Sequence, residues 1–109
     1  MMFNNVLTLI TETETLDEYG DTVITETSRD VFCELKSIGM SEFYQAQTLG
    51  MKPEIKFIIA DYMDYQNEEL IAFEGMKYKI LRTYRTGNEL EITCYGGVRY
   101  VSATISNEN

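Results

Sequence analysis

The densest group of side chains that can do chemistry is a run of carboxylates and tyrosines in the second half of the chain. Its members are Asp61, Tyr62, Asp64, Tyr65, Glu68 and Glu69. Clustered carboxylates suit hard cations, and a pair of them can act as general acid and base. A Ca²⁺ loop needs alternating oxygen ligands around a fixed glycine, which this spacing lacks, and nothing marks one carboxylate as desolvated. We therefore favour solvation of a strand end and predict no metal site. A hydrolase that uses Asp61 and Asp64 is a further hypothesis, ranked behind the two functions given at the end of this section.

A second group combines cations with aromatic rings. It consists of Lys77, Tyr78, Lys79, Arg82, Tyr84 and Arg85. Cations interleaved with aromatic rings are typical of surfaces that bind single-stranded nucleic acid. Glu89 and Glu91 follow closely and neutralise much of this charge. We therefore favour a cross-strand charge ladder, or a contact with an acidic neighbour, over nucleic-acid binding.

A third group consists of large side chains that a small domain cannot easily bury. Met40, Tyr44 and Met51 flank a short predicted helix, and Met63 and Tyr65 lie at the end of a predicted strand. Met and Tyr are enriched in the cores of protein interfaces. Two interpretations stay open: these side chains cap the core of the domain, or they form a surface for a partner.

Composition restricts the functional classes further. The chain has 109 residues, which suits one domain with one core, and 44% apolar residues, which is typical of a folded protein. It contains no histidine, the commonest general base and a frequent metal ligand. Cys33 and Cys94 fall in alternating apolar and polar runs, so we expect small buried residues in a reducing compartment, with a disulfide as the less favoured alternative.

The net charge of −9 argues against wrapping a nucleic-acid backbone, which requires clustered cations. Acids are in excess within the first thirty residues, where Arg29 is the only cation. Solubility is the favoured explanation, and an acidic wall that lets DNA slide past is the alternative. No apolar run is long enough for a membrane span, and no basic segment precedes a hydrophobic one at the start, so neither a span nor a secretory signal is expected.

Alternating β-branched and apolar residues predict short strands along most of the chain. The predicted strands cover residues 5–13, 22–27, 31–38, 54–62, 70–73, 76–85 and 89–95. The nearly continuous apolar middle of residues 54–62 predicts a central strand covered on both faces. Six or seven short strands indicate a mainly β fold, a small antiparallel barrel or sandwich, and the chain after about residue 100 is expected to be a flexible tail.

One short α-helix is predicted, from about Glu42 to Leu49. Ser41 can cap its first turn, Glu42 complements the positive end of the helix dipole, and Gly50 provides a stop. A helix of about two turns is not stable alone, so it must dock its apolar side chains on another surface.

The last two predicted strands are expected to form a hairpin. A three-residue loop over residues 86–88 would place Arg85 opposite Glu89 and Ile80 opposite Cys94, which pairs opposite charges and apolar residues. A two-residue loop is the alternative, and it would pair Arg82 with Glu91 instead.

With these segments in place, the chain resembles the head-tail joining, or head closure, proteins of long-tailed siphophages. The resemblance covers nearly the whole chain up to Tyr95. It is carried by DEYGD at 17–21, SIGMSEFYQA at 37–46, GMKPEIKF at 50–57, DYMDY at 61–65 and KYKILRTYRTGNELE at 77–91.

The resemblance implies a small β-barrel that assembles as a ring of about a dozen copies under the portal and its adaptor after the genome is packaged. Such a ring closes the channel of the DNA-filled head and provides the docking face for the tail. The family has no catalytic residue and no cofactor, and DNA passes through the channel without sequence-specific binding. The loop between the second and third barrel strands is associated with plugging the channel, and residues 39–53 are its nearest match here.

We therefore expect one connector domain over residues 1–109, assembled in the bacterial host cytoplasm and located in the virion between head and tail. Isolated subunits are expected to be monomers that assemble only on a template. The expected partners are the portal and adaptor ring and the tail terminator or other tail proteins. The alternative function is an acidic prophage or bacterial β-barrel adaptor that binds a host protein without enzymatic activity. The residues predicted to form the ring or partner interface are Met40, Phe43, Tyr44, Met51, Arg82, Tyr84 and Arg85.

Overall fold

The computed structural model describes residues 3–40, 50 and 52–100. This part of the chain is mainly β, as predicted, and contains six strands and one short 3-10 turn over Tyr62–Asp64. The helix predicted from Glu42 to Leu49 and the tail predicted after residue 100 lie outside the described residues. The strands are β1 (Asn5–Leu16), β2 (Thr22–Lys36), β3 (Pro53–Ile59), β4 (Leu70–Phe73), β5 (Met76–Thr86) and β6 (Glu89–Arg99).

The six strands form one antiparallel, ring-like sheet. The order of hydrogen-bonded neighbours is β1, β2, β3, β6, β5 and β4, and β4 pairs again with β1. Strand β4 has four residues and contacts β1 only from Thr8 to Ile10. The longer strands β1, β2 and β5 therefore extend past the part of the sheet that closes.

Apolar side chains from alternate positions of the strands fill the interior of the ring. Leu7, Phe57 and Ile92 are fully buried, and the rings of Phe57 and Phe73 meet edge to face with 5.1 Å between centroids. This arrangement follows from the two-residue period of a strand, which directs every second side chain to the same face. Burial of these side chains provides the main stabilisation of the fold.

Both cysteines lie in this core with free thiols, as the sequence predicted. Burial raises the pKa of Cys33 to about 11 and that of Cys94 to about 12. Both thiols are therefore protonated in the folded protein at neutral pH, and a protonated thiol is a poor nucleophile.

The sequence predicted two strands where the structure has the single 15-residue strand β2. The polar residues Ser28, Arg29 and Asp30 were expected to interrupt it. Instead the Asp30 carboxylate accepts a hydrogen bond from the Thr8 hydroxyl at 2.7 Å, and Arg29 forms an ion pair with Glu68. These partners allow polar side chains inside a continuous strand.

The predicted strand 54–62 also ends early, at Ile59, because Asp61 caps the 3-10 turn that starts at Tyr62. The hairpin between β5 and β6 closes with two residues, Gly87 and Asn88, so the preferred three-residue loop is wrong near the turn. Thr86 rather than Arg85 lies opposite Glu89.

The pairing of Ile80 with Cys94 is nevertheless confirmed, because a bulge between Ile80 and Arg82 shifts the register by one residue. Arg82 pairs with Thr93, so the partner expected for the two-residue alternative, Glu91, is wrong as well.

Candidate functional site

The carboxylates after β3 hold a turn together. The Asp61 side chain accepts a hydrogen bond from the backbone N–H of Met63 at 2.9 Å and so caps the 3-10 turn. Arg29 donates to the backbone carbonyl of Asp64. Asp61 therefore has a capping role of the kind that Asp commonly fills at the start of a helical turn.

Glu68 links the segment before β4 to strand β2. Its side chain is buried, and its carboxylate binds Arg29 at 3.0 Å and the backbone N–H of Gln66 at 2.7 Å. The Tyr65 hydroxyl donates to the Glu68 carbonyl at 2.7 Å, and burial, followed by the charge of Glu68, raises the pKa of Tyr65. Within residues 3–40, 50 and 52–100, no group of three or more Cys, Asp or Glu side chains is arranged to hold a metal ion.

Lys77, the first cation of β5, binds two glutamates from the β1–β2 hairpin. Its Nζ lies 2.7 Å from Glu12 and 3.5 Å from Glu26, which face each other across the ladder. Burial alone would lower the pKa of Lys77, but the hydrogen bond to Glu12 and the charges of both glutamates raise it above its ordinary value. Like charges directly opposite each other destabilise a strand pair, so Lys77 relieves a repulsion that the hairpin creates.

The charge ladder of β6 runs towards β2 and β3. Glu91 lies 2.8 Å from Lys36 and 3.6 Å from Lys56. The hydrogen bond from Lys36 lowers the pKa of Glu91. Burial opposes this shift, and the positive charges of Lys36 and Lys56 add to it. Glu91 therefore forms ion pairs with lysines of both β2 and β3.

The far end of β5 brings together three of the predicted interface residues: Arg82, Tyr84 and Arg85. All three are exposed, and 65% of Tyr84 is accessible. Arg85 is also tied to its own chain, because its guanidinium lies over the ring of Tyr62 and its Nε donates to the Gly87 carbonyl at 2.8 Å.

The other predicted interface residues belong to the connection between β2 and β3. Met40 is exposed there, with 67% of its surface accessible. Phe43, Tyr44 and Met51 lie outside the described residues.

A long exposed part of the β1–β2 hairpin was not predicted as a site. Residues 11–27, which we call the arm, are the far half of the β1–β2 hairpin, and in the described part of the chain they pair only with each other. The arm carries six acids and no Lys or Arg. Three apolar side chains of the arm are largely accessible to solvent: Leu16 (72%), Tyr19 (82%) and Ile24 (61%).

The two faces of the arm differ in chemistry. In a pair of strands, directly opposed residues point to the same face. One face of the arm therefore combines carboxylates with apolar side chains, and the other face is almost entirely threonine. We call the first the acidic face; it consists of Glu12, Glu14, Leu16, Thr22, Ile24 and Glu26. A groove of about 800 Å³ lies beside the arm, lined by residues that include Glu14, Ile24, Lys79 and Tyr95.

The tip of the arm is held by its own hydrogen bonds. The Asp17 carboxylate accepts from the backbone N–H groups of Tyr19 and Asp21, both at 2.9 Å, and Gly20 adopts a φ of +83° that favours glycine. These contacts fix the backbone that presents Tyr19. The sequence contained a usable signal, the alternation Thr-Glu-Thr-Glu-Thr-Leu at 11–16, which keeps all acids of β1 on one face.

No protein-family model and no curated protein matches this chain. Among the residues that the structure describes, there is no helix with the length and apolar character needed to cross a membrane.

Proposed function

We propose that this chain is a structural subunit of the head-tail connector of a phage or prophage virion. In this proposal the ring-like sheet is a small β-barrel, and copies of it form a ring of about a dozen subunits below portal and adaptor. The ring closes the DNA-filled head and offers the docking face for the tail. No residue acts as a catalyst, and no cofactor is required.

One observation carries the proposal: a single chain presents an acidic arm and a separate basic strand end. A ring requires two different, complementary patches on each subunit, because every contact joins one patch to the other around the axis. The arm carries the acids, and Arg82 and Arg85 at the exposed end of β5 carry the cations. The resemblance to siphophage head closure proteins, which is inferred from the sequence alone, is the second reason for the proposal.

Disruption of the gene tests this function. We expect packaged heads to form, then to lose DNA and fail to acquire tails, and a plasmid copy of the intact gene to restore infectious particles. Normal infectious particles without the gene product would contradict the proposal.

The alternative is an acidic adaptor from a prophage or bacterium that binds a host protein. It is favoured by the six carboxylates of the arm, which can attract a basic partner. Recovery of a host nucleic-acid-binding protein with the purified chain, in the absence of portal and adaptor, would support this alternative.

A further inference from the structure

Charge is separated between two elements of this chain. The arm, residues 11–27, holds six of the 18 acids and no cation, whereas β5 holds four of the nine cations and no acid. Oppositely charged surfaces attract each other before contact and fix the orientation in which two proteins meet. The separation therefore makes two copies of this chain complementary to each other.

Among the described residues, the ion pairs of the arm lie at its base. Lys77 binds Glu12 and Glu26 there. Nearer the tip, no cation of the described residues forms an ion pair with Glu14 or Glu18. The tip therefore keeps its negative charge for an external partner.

Apolar side chains accompany the charges on both elements. Leu16 and Ile24 lie on the acidic face of the arm, and Tyr84 lies between Arg82 and Arg85 on β5. A two-stranded hairpin is only marginally stable in water by itself, so a partner that covers these apolar groups would stabilise the arm.

The two elements also match in length and have open edges. Residues 11–16 of β1 pair with β2 on one side, and residues 82–86 of β5 pair with β6 on one side. On the other side of each strand β4 ends before these residues, at Ile10 of β1 and at Lys79 of β5, so residues 11–16 and 81–86 each have one open edge among the described strands. Each edge is about 20 Å long at the rise of a β-strand. Open edges readily accept another strand.

We propose that the arm of one copy docks on residues 81–86 of β5 in a second copy. Glu14 and Glu18 then lie near Arg82, and Leu16 and Ile24 cover Tyr84. The contact joins different patches on the two copies, so its repetition produces a ring or a filament. This inference rests on the proposed connector function, because it names the contact by which that ring would form.

Cysteine cross-linking tests the contact. The native cysteines are buried, with the pKa of each thiol raised to about 11 and about 12, so introduced thiols react selectively. We expect the Leu16→Cys, Tyr84→Cys double variant, concentrated at low ionic strength and oxidised with diamide, to form a ladder of covalent oligomers joined by a disulfide between positions 16 and 84, identified by mass spectrometry of the linked peptides. Each single variant can form dimers at most, and the control Leu16→Cys, Phe32→Cys, whose second site is exposed but lies off β5, should yield no linked peptide between positions 16 and 32. A double variant that forms no species larger than dimers would overturn the contact.

A charge exchange provides a second test. Glu14→Lys with Glu18→Lys should reduce the ladder of cross-linked oligomers roughly tenfold, and so should Arg82→Glu alone or about 0.5 M NaCl, which screens exposed charges. All three substitutions in one chain should restore the ladder. A combined variant as defective as the separate ones would contradict the electrostatic match between the arm and β5.

The outcomes separate this contact from the proposed function. Virions that assemble normally from the double cysteine variant and yield no arm-to-β5 cross-link on oxidation would overturn the contact and leave the connector function standing. A cross-linked ladder from purified protein, together with normal particles after gene disruption, would leave the contact standing and overturn the function. Loss of a host-protein interaction on Glu14→Lys, with no self-cross-linking, would identify that protein as the occupant.

Discussion

The guanidinium of Arg85 stacks on the ring of Tyr62, with 3.5 Å between the guanidinium carbon and the ring centroid. A backbone hydrogen bond of 2.7 Å from Tyr62 N–H to the Asn88 carbonyl lies beside it. Together these contacts fasten the end of the β5–β6 hairpin to the 3-10 turn. Arg85 therefore has a structural role in addition to its predicted place in an interface.

This stacking predicts a measurable coupling between the two side chains. We expect Arg85→Ala and Tyr62→Leu each to lower the free energy of unfolding by about 1 kcal/mol, because each removes the same cation–π contact. The double variant should lose little more than either single one, with a coupling of about 0.5 to 1 kcal/mol. Urea unfolding of the four proteins measures it, and strictly additive losses would show that the contact contributes nothing.

Lys77 should matter more for stability than its neighbour Lys79. Lys77→Met removes the cation that lies 2.7 Å from Glu12 and 3.5 Å from Glu26, so we expect a loss of about 1 kcal/mol in the free energy of unfolding. Lys79→Met is the matched control, since Lys79 is exposed and forms no ion pair with the described residues.

The loss in free energy of unfolding caused by Lys77→Met should be smaller at about 0.5 M salt than at about 0.05 M. Salt screens the repulsion that remains between Glu12 and Glu26. Equal effects of the two lysine substitutions at low salt would contradict this role of Lys77.

The buried thiols predict a fall in stability at alkaline pH. Cys33 and Cys94 have an ordinary pKa of 9.0 and folded values of about 11 and about 12. The unfolded chain ionises first as pH rises, so the stabilisation is complete below about pH 9 and is lost as pH rises towards the folded values. The free energy of unfolding should therefore decline from pH 9 upward.

Tyr100 contributes to the same loss of stability at alkaline pH. Burial, followed by its hydrogen bond to Glu26, raises the pKa of Tyr100 to about 12. A Cys33→Val, Cys94→Val variant should show a weaker decline between pH 9 and 11 in denaturant titrations. An unchanged decline would mean that the thiols ionise equally easily in both states.

The capping role of Asp61 predicts an asymmetry between two nearby aspartates. Asp61→Ala removes the acceptor for Met63 N–H and should lower the free energy of unfolding by about 1 kcal/mol. Asp64→Asn should leave stability nearly unchanged, because the backbone carbonyl of Asp64 is the group that accepts from Arg29. The hydrolase hypothesis instead predicts a lost activity on Asp64→Asn, and detection of such an activity would contradict the non-enzymatic proposal.

Local patterns predicted much of the sheet because its strands alternate strongly. Strand β4 begins and ends at the predicted residues, Leu70 and Phe73, and the buried positions of Cys33 and Cys94 follow from their place in alternating runs. The continuity of β2 could not be predicted, since the partners of Arg29 and Asp30 are Glu68 and Thr8, far away in sequence.

The candidate site was predicted less completely than the fold. Arg82, Tyr84 and Arg85 were predicted as interface residues because cations and aromatic rings stand together in one strand; the three side chains are exposed, and their role in an interface stays a prediction. The arm was missed, because whether a hairpin joins the sheet or projects from it depends on the length of β4, which contacts β1 only up to Ile10. Its acids were therefore attributed to solubility.

The location of the chain in a particle tests the central claim most directly. Intact virions labelled with an antibody against this protein, and viewed by electron microscopy, should carry the label at the junction of head and tail. Quantitative mass spectrometry of the same particles should give about a dozen copies per virion. Particles that lack the chain, or carry it away from that junction, would contradict the account.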